Sequence, residues 1–177
     1  MVFEVFVSHL YKFPVELVAH THFTKYPNDK ERSVRGITTI EQITDPRTHI
    51  EYKKRIATCK NVIPPLLRRI QVLDEKALYL EEESWYDRRN RVLTIKSRSL
   101  TWTKYADAWE ESEFRPCPEN PSWTRMQQKG SVHVKSFGVL GRAIEMFVEG
   151  FVRRGTLKAL QIMEDLMVEK TQTGALS

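Results

Sequence analysis

The sequence predicts an α+β fold in which seven antiparallel strands build one sheet and a single long helix lies across it. Three observations carry this reading. β-rich segments recur from the N-terminus to about residue 136, separated by turn chemistry. After Gly138 the period becomes helical and holds to about Lys170. A chain of 177 residues suits one core, so one domain over 1–170 is expected, with a short flexible tail at 171–177.

Residues 2 to 10 alternate as a strand. Phe13-Pro14 then opens a helix in which Val15, Leu17, Val18, Ala19 and Phe23 recur at helical spacing. Tyr26-Pro27-Asn28-Asp29 stops it, because Pro27 disfavours helical geometry at Tyr26 and Asn-Asp favours a turn. Strand patterns at about 34–44 and 49–58 flank Thr44-Asp45-Pro46-Arg47, so they pair antiparallel. From 60 to 74 two prolines interrupt an apolar run that ends in arginines, which suits neither a strand nor a long helix. Four further strands are expected at about 76–86, 91–102, 104–115 and 123–136, broken at Asp87–Asn90 and Pro116–Pro121.

The final helix would span about 48 Å at 1.5 Å per residue, enough to cross a sheet. Leu140, Ile144, Phe147, Phe151 and Ile162 fall within one arc of it, and Gly150 and Gly155 weaken its middle. A rod over a concave sheet leaves space between them, so an apolar chamber is expected. Lys158 lies in the same arc, where its charge must snorkel out, pair, or meet an anionic group. Arg154 lies on the flank of the arc and Arg153 points away.

Composition narrows the function. With 41% hydrophobic and 29% charged residues the chain folds, and no apolar run is long enough to span a bilayer. A net charge of +5 suits acidic partners or a solvated surface. Two cysteines, Cys59 and Cys117, are too few for a disulfide scaffold or a structural zinc site. The N-terminus reads as a strand rather than a secretory signal or a presequence, which by itself suggests the cytosol.

Catalytic signatures are absent: no nucleophile elbow, zinc-binding helix or phosphate-cradling loop is present, so neither an enzyme nor a cofactor is expected. His20 and His22 diverge on a helix and cannot share a metal. Strand alternation sends Glu82 to the face opposite Glu81 and Glu83, which suits a solvated strand better than an acid/base pair. Trp85, Trp102, Trp109 and Trp123 beside Lys96, Arg98 and Lys104 suit packing better than base stacking, so no nucleic-acid partner is expected. The Pro-rich stretch reads either as a packed connection or as a lid. As a lid, Val62, Ile63, Leu66 and Leu67 would dip into a transient membrane surface while Arg68 and Arg69 meet anionic headgroups.

Lys25-Tyr26-Pro27-Asn28 is similar to the basic-Tyr-Pro-Asn signature of the PRELI/Ups-like family, which the sequence resembles from its first strand to about Lys170. Lys54 to Pro64, Leu80 to Trp85, Leu100 to Ala106 and Glu119 to Thr124 carry the resemblance further. It implies a START-like helix-grip fold: seven strands curved around a cavity, a long C-terminal helix and a lid loop. It also implies residence in the mitochondrial intermembrane space, reached without a cleaved presequence. Relatives there shuttle phosphatidic acid or phosphatidylserine between membranes, bound to a small twin-Cx9C helical-hairpin chaperone.

The family's headgroup cations carry over to Lys25 and to Arg154. A third basic position falls on Cys59, with Lys60 beside it, and a histidine of some relatives aligns near Ser33. The expectation is therefore an anionic glycerophospholipid whose phosphate meets Lys25, Arg154, Lys158 and Lys60, and whose tails lie against Phe147, Phe151 and Ile95. Alternatives are a non-transferring adaptor of the same fold that binds the chaperone, and a basic RNA-binding module.

Overall fold

The computed structural model describes residues 2–135 and 138–174. Strand β1 (Val2–Tyr11) leads into helix α1 (Val15–Thr24), then β2 (Val34–Thr44) and β3 (Ile50–Lys60). The connection that follows holds the short helix α2 (Pro65–Arg68) and a 3-10 turn at Gln71–Leu73. Next come β4 (Ala77–Asp87), β5 (Val92–Ser99), β6 (Ala106–Pro116) and β7 (Thr124–Val134). A 3-10 turn at Gly138–Leu140 precedes α3 (Gly141–Gln172), which is one continuous helix through Gly150 and Gly155.

The strands form one curved antiparallel sheet, ordered β1-β7-β6-β5-β4-β3-β2, so β2 to β7 run as a meander and β1 docks beside β7. The last strand ends at Val134, and position 136 of its expected span lies outside the described residues. The terminal helix runs to Gln172, two residues into the expected tail, whose residues 175–177 lie outside the described residues. Among the described residues no helix is long and apolar enough to cross a membrane.

Side-chain carboxylates and amides fold the hairpins by standing in for backbone acceptors. Asp45 Oδ1 accepts from the Arg47 and Thr48 amides at 2.7 and 3.1 Å, between β2 and β3. Asp87 Oδ1 does the same for Arg89 and Asn90 between β4 and β5, both at 3.0 Å. Asn120 Oδ1 accepts from the Ser122 amide at 3.0 Å between β6 and β7.

Register and alternation decide what faces the helix. The pairs Arg55↔Glu82, Glu82↔Ser97, Ser97↔Glu110 and Glu110↔Gly130 run across five strands on one face. Towards one end of that face lies a packed cluster of Tyr11, Tyr86, Leu93, Ile95, Phe114 and Met126 with α1 and with Met163 and Met167 of α3. Towards the other end a second cluster joins Ile63, Leu67 and Leu73 to Val134 and Ile144. The two clusters are separate. Between them the inner face carries Ser97, Ser99, Ala106, Ala108 and Gly130, too small to bridge the gap to the helix. Glu110 shares this face and keeps an accessible surface, although burial in the protein raises its carboxyl pKa. An inward side chain that stays accessible between two separate clusters marks a stretch of the inner face that apolar packing leaves unfilled.

The expected apolar arc of α3 is only partly the buried one. Ile144 and Ile162 are buried and Phe147 is half-buried, but Leu140 and Phe151 are exposed, and Met163 and Met167 complete the contact. The methionines stand roughly a quarter turn or more around the helix from Ile162. A straight rod on a twisted sheet meets it with a face that rotates along its length. Met167 is fully buried, so Met167→Ala should cost about 2–5 kcal/mol in urea unfolding, whereas Leu157→Ala, at 69% exposed, should stay within about 0.5 kcal/mol.

Candidate functional site

Lys25 caps the C-terminus of α1, and the turn that follows aims it. Asn28 Nδ2 donates to the Lys25 carbonyl at 2.6 Å, while Asn28 Oδ1 accepts from the Lys30 and Glu31 amides at 2.8 and 2.9 Å. The asparagine of the Lys-Tyr-Pro-Asn motif thus closes the loop that holds Lys25 over the inner face. Lys25 Nζ lies 5.1 Å from the centre of the Tyr26 ring. Burial pushes its ammonium pKa down, Glu82 and Glu110 oppose that shift, and Arg55 adds to it. Among the described residues Lys25 makes no ion pair. An enclosed ammonium without a counter-ion is unfavourable, and a phosphate beside it would make charge-assisted hydrogen bonds.

Beneath Lys25 lies a network that sequence reasoning missed. Arg55 Nε and Nη2 donate to Glu82 Oε1 at 2.9 and 2.7 Å, and Arg55 Nη1 donates to the Phe23 carbonyl at 3.3 Å. His22 Nε2 lies 3.1 Å from Glu82 Oε2. Glu82 is therefore no member of a solvated strand. Burial pushes its carboxyl up, but His22 and Arg55 hold it well below the usual carboxylate range. Burial lowers His22 to about 4, against the pull of Glu82. Alternation separates Glu82 from its neighbours correctly; only the register with Arg55 reveals its partner.

The other expected headgroup cations diverge. Lys158 Nζ sits 2.8 Å from Glu31 Oε2, so of its three possible fates it pairs. Glu31 also accepts from the Ser33 amide at 3.0 Å, which gives the residue near the expected histidine position a structural task. Arg154 is exposed and makes no ion pair among the described residues. Its guanidinium folds back over Gly150, where a Cβ would lie 2.9 Å from Nη1. Cys59 alternates with Arg55 on the inner face, so Lys60 leaves from the outer one, exposed.

The expected tail contacts also divide. Phe147 and Phe151 stack at 5.8 Å on the first half of α3, whereas Ile95 is 4% exposed within the first packed cluster and so is not part of an open wall.

The lid stretch splits by face. Ile63 and Leu67 are buried in the second cluster, while Leu66 is 68% exposed and Val62 points outward with it. Arg68 Nε donates to the Ile63 carbonyl at 2.7 Å, so only Arg69 is exposed with Leu66. Asn61 staples the base, donating from Nδ2 to the Leu73 and Glu75 carbonyls at 2.8 and 2.9 Å. Packed connection and exposed rim are thus alternate residues of one segment.

Elsewhere His20 is exposed while His22 is buried, and no group of residues able to hold a metal occurs among the described ones. The outer-face cations beside the tryptophans meet acids: Arg98 reaches Glu81 at 2.7 Å and Lys96 reaches Glu111 at 4.0 Å.

The depressed histidine gives a signed pH dependence. Between its ordinary 6.5 and about 4 the unfolded chain takes up a proton that buried His22 refuses, so stability falls as pH drops across that window, by about 3 kcal/mol. Glu82, held low, adds a further loss as pH falls below the ordinary carboxylate range. Urea midpoints measured from pH 7 to 4 should show the slope, and His22→Leu should flatten it above about pH 5.

Comparisons with known proteins bear on the fold and the family. The chain is 26% identical to the slowmo homolog of Dictyostelium discoideum over 163 residues, 92% of this chain and 70% of that protein. It is 25% identical to the UPS-like protein C36.10 of Schizosaccharomyces pombe over 150 residues, 84% of this chain and 80% of that one. Among solved structures, the Zhui aromatase/cyclase of Streptomyces sp. R1128 superposes with a TM-score of 0.63 at 12% identity, covering 97% of this chain and 96% of that one. TTHA0849 of Thermus thermophilus gives 0.58 at 13% identity, covering 94% and 97%. At such identity these two establish the fold alone, a START-like helix-grip. The model of the PRELI-like family matches residues 16–173, nearly the whole length from α1 to the end of α3, and this chain belongs to that family.

Proposed function

We propose that this protein carries one anionic glycerophospholipid, of the phosphatidic acid or phosphatidylserine class, between the mitochondrial membranes. The observation that carries the reading is Lys25: an enclosed ammonium with no ion-pair partner among the described residues, facing a hollow flanked by two apolar clusters. Family membership supports a lipid-binding domain. The compartment, the intermembrane space, and the small twin-Cx9C helical-hairpin chaperone belong to the same proposal through the family resemblance.

The physical steps need no covalent chemistry. Exposed Leu66, beside Arg69, enters the interface of an anionic bilayer while Ile63 and Leu67 keep the segment attached to the core. The lipid moves under α3, where each buried methylene of its tails contributes about 0.8 kcal/mol, and its phosphate neutralises Lys25. Arg154 is the second cation free to turn toward the phosphate, since Gly150 leaves its guanidinium room.

The adaptor reading draws on one observation: with Lys158 held by Glu31, the hollow has fewer free cations than a phosphate usually meets. Native mass spectrometry of the purified protein separates the two, a stoichiometric phospholipid favouring the carrier and an empty hollow the adaptor.

Lys25→Met should lower extraction of phosphatidic acid from liposomes at least tenfold without lowering the urea midpoint; undiminished extraction would contradict the headgroup role. Leu66→Asp should slow transfer between liposomes several-fold and leave the circular dichroism unchanged, whereas equal rates would remove the rim from the mechanism.

A further inference from the structure

Glu110 is the second charged group of the hollow, and the carrier mechanism above leaves it unused. It stands on the inner face of β6, opposite Ser97 of β5 and Gly130 of β7, so its neighbours in register leave its carboxylate space. Ser112 and its register partner Gln128 share the face beside it, and burial raises the Glu110 carboxyl pKa. Glu110 and Lys25 each sense the other's charge, yet no ion pair joins them among the described residues. Glu82, the other inner carboxylate near Lys25, is already taken by Arg55 and His22. The hollow thus presents a free cation and a free carboxylate, close enough to interact and too far apart to neutralise each other in contact.

Resting on the carrier reading, we propose that Glu110 is a specificity-determining residue that selects headgroups bearing a primary ammonium beside the phosphate. The phosphate satisfies Lys25 and the ammonium satisfies Glu110, so each of the two inward charges gains a charge-assisted hydrogen-bond partner. A bare phosphate monoester satisfies only Lys25 and brings like charge toward Glu110. A neutral or methylated headgroup offers Glu110 fewer or no donors.

The test uses the full chain and phosphatidylcholine vesicles doped equally with phosphatidylserine, phosphatidylethanolamine or phosphatidic acid, reading the lipid extracted by mass spectrometry. Wild type should extract phosphatidylserine in preference to phosphatidic acid, and Glu110→Gln should shift that ratio toward phosphatidic acid at least tenfold. A ratio unchanged by the substitution, or a wild-type preference for phosphatidic acid, overturns the role of Glu110 while leaving the carrier intact. Failure of wild type to extract any of the three overturns the carrier reading and this inference with it. Should Glu110→Gln lose its circular dichroism signal, N-acetylated phosphatidylserine offered to wild type serves instead. Its extraction should fall at least tenfold below that of phosphatidylserine, and equal extraction overturns the proposal.

Discussion

A rod and a curved sheet touch along a line, and the space left beside that line governs the rest of this molecule. The protein fills it with apolar side chains at two ends only. Tyr11, Leu93, Phe114 and the α3 methionines close one end, and Ile144 with the segment around Leu67 closes the other. Serine, alanine and glycine occupy the strand positions between, where larger residues would have completed a solid core.

Charge inside such a space must be arranged in advance, because partial burial removes much of its hydration. Arg55, Glu82 and His22 answer one another within 3.2 Å and hold the floor. Glu31 and Lys158 bind the loop after α1 to the helix, and Lys30 adds contacts to Asp165 and Glu169 at 3.3 and 2.7 Å. Among the described residues Lys25 and Glu110 face inward without an ion pair, while paired networks fix the frame around them.

Much of this was legible in the residues. Turn chemistry at Asp45, Asp87 and Asn120, alternation along the strands and the change of period after Gly138 are local signals, and the seven strands with α1 and α3 lie within a few residues of their expected places, whereas the short helical turns at 65–68 and 71–73 carry no such signal. Lys25 stands out in the sequence through the motif it belongs to. The Pro-rich segment is legible as a break in the pattern but not residue by residue, since the cluster beneath buries Leu67 of α2 and Ile63 before it and leaves Leu66 exposed. Lys158 shows the limit of a helical arc: its position left snorkelling, pairing or an anionic group open, and Glu31, 127 positions earlier, supplies the pair.

Sequence by itself determined the elements, their order and the family, because hydrophobic period, capping and turn residues act over a few positions along the chain. Tertiary structure alone decided which charges meet. Arg55 and Glu82, or Glu110 and Lys25, become neighbours only through strand register and the docking of α1, and register is a cooperative property of the whole sheet. A cation's function depends on whether an acid reaches it first, and that is settled in three dimensions.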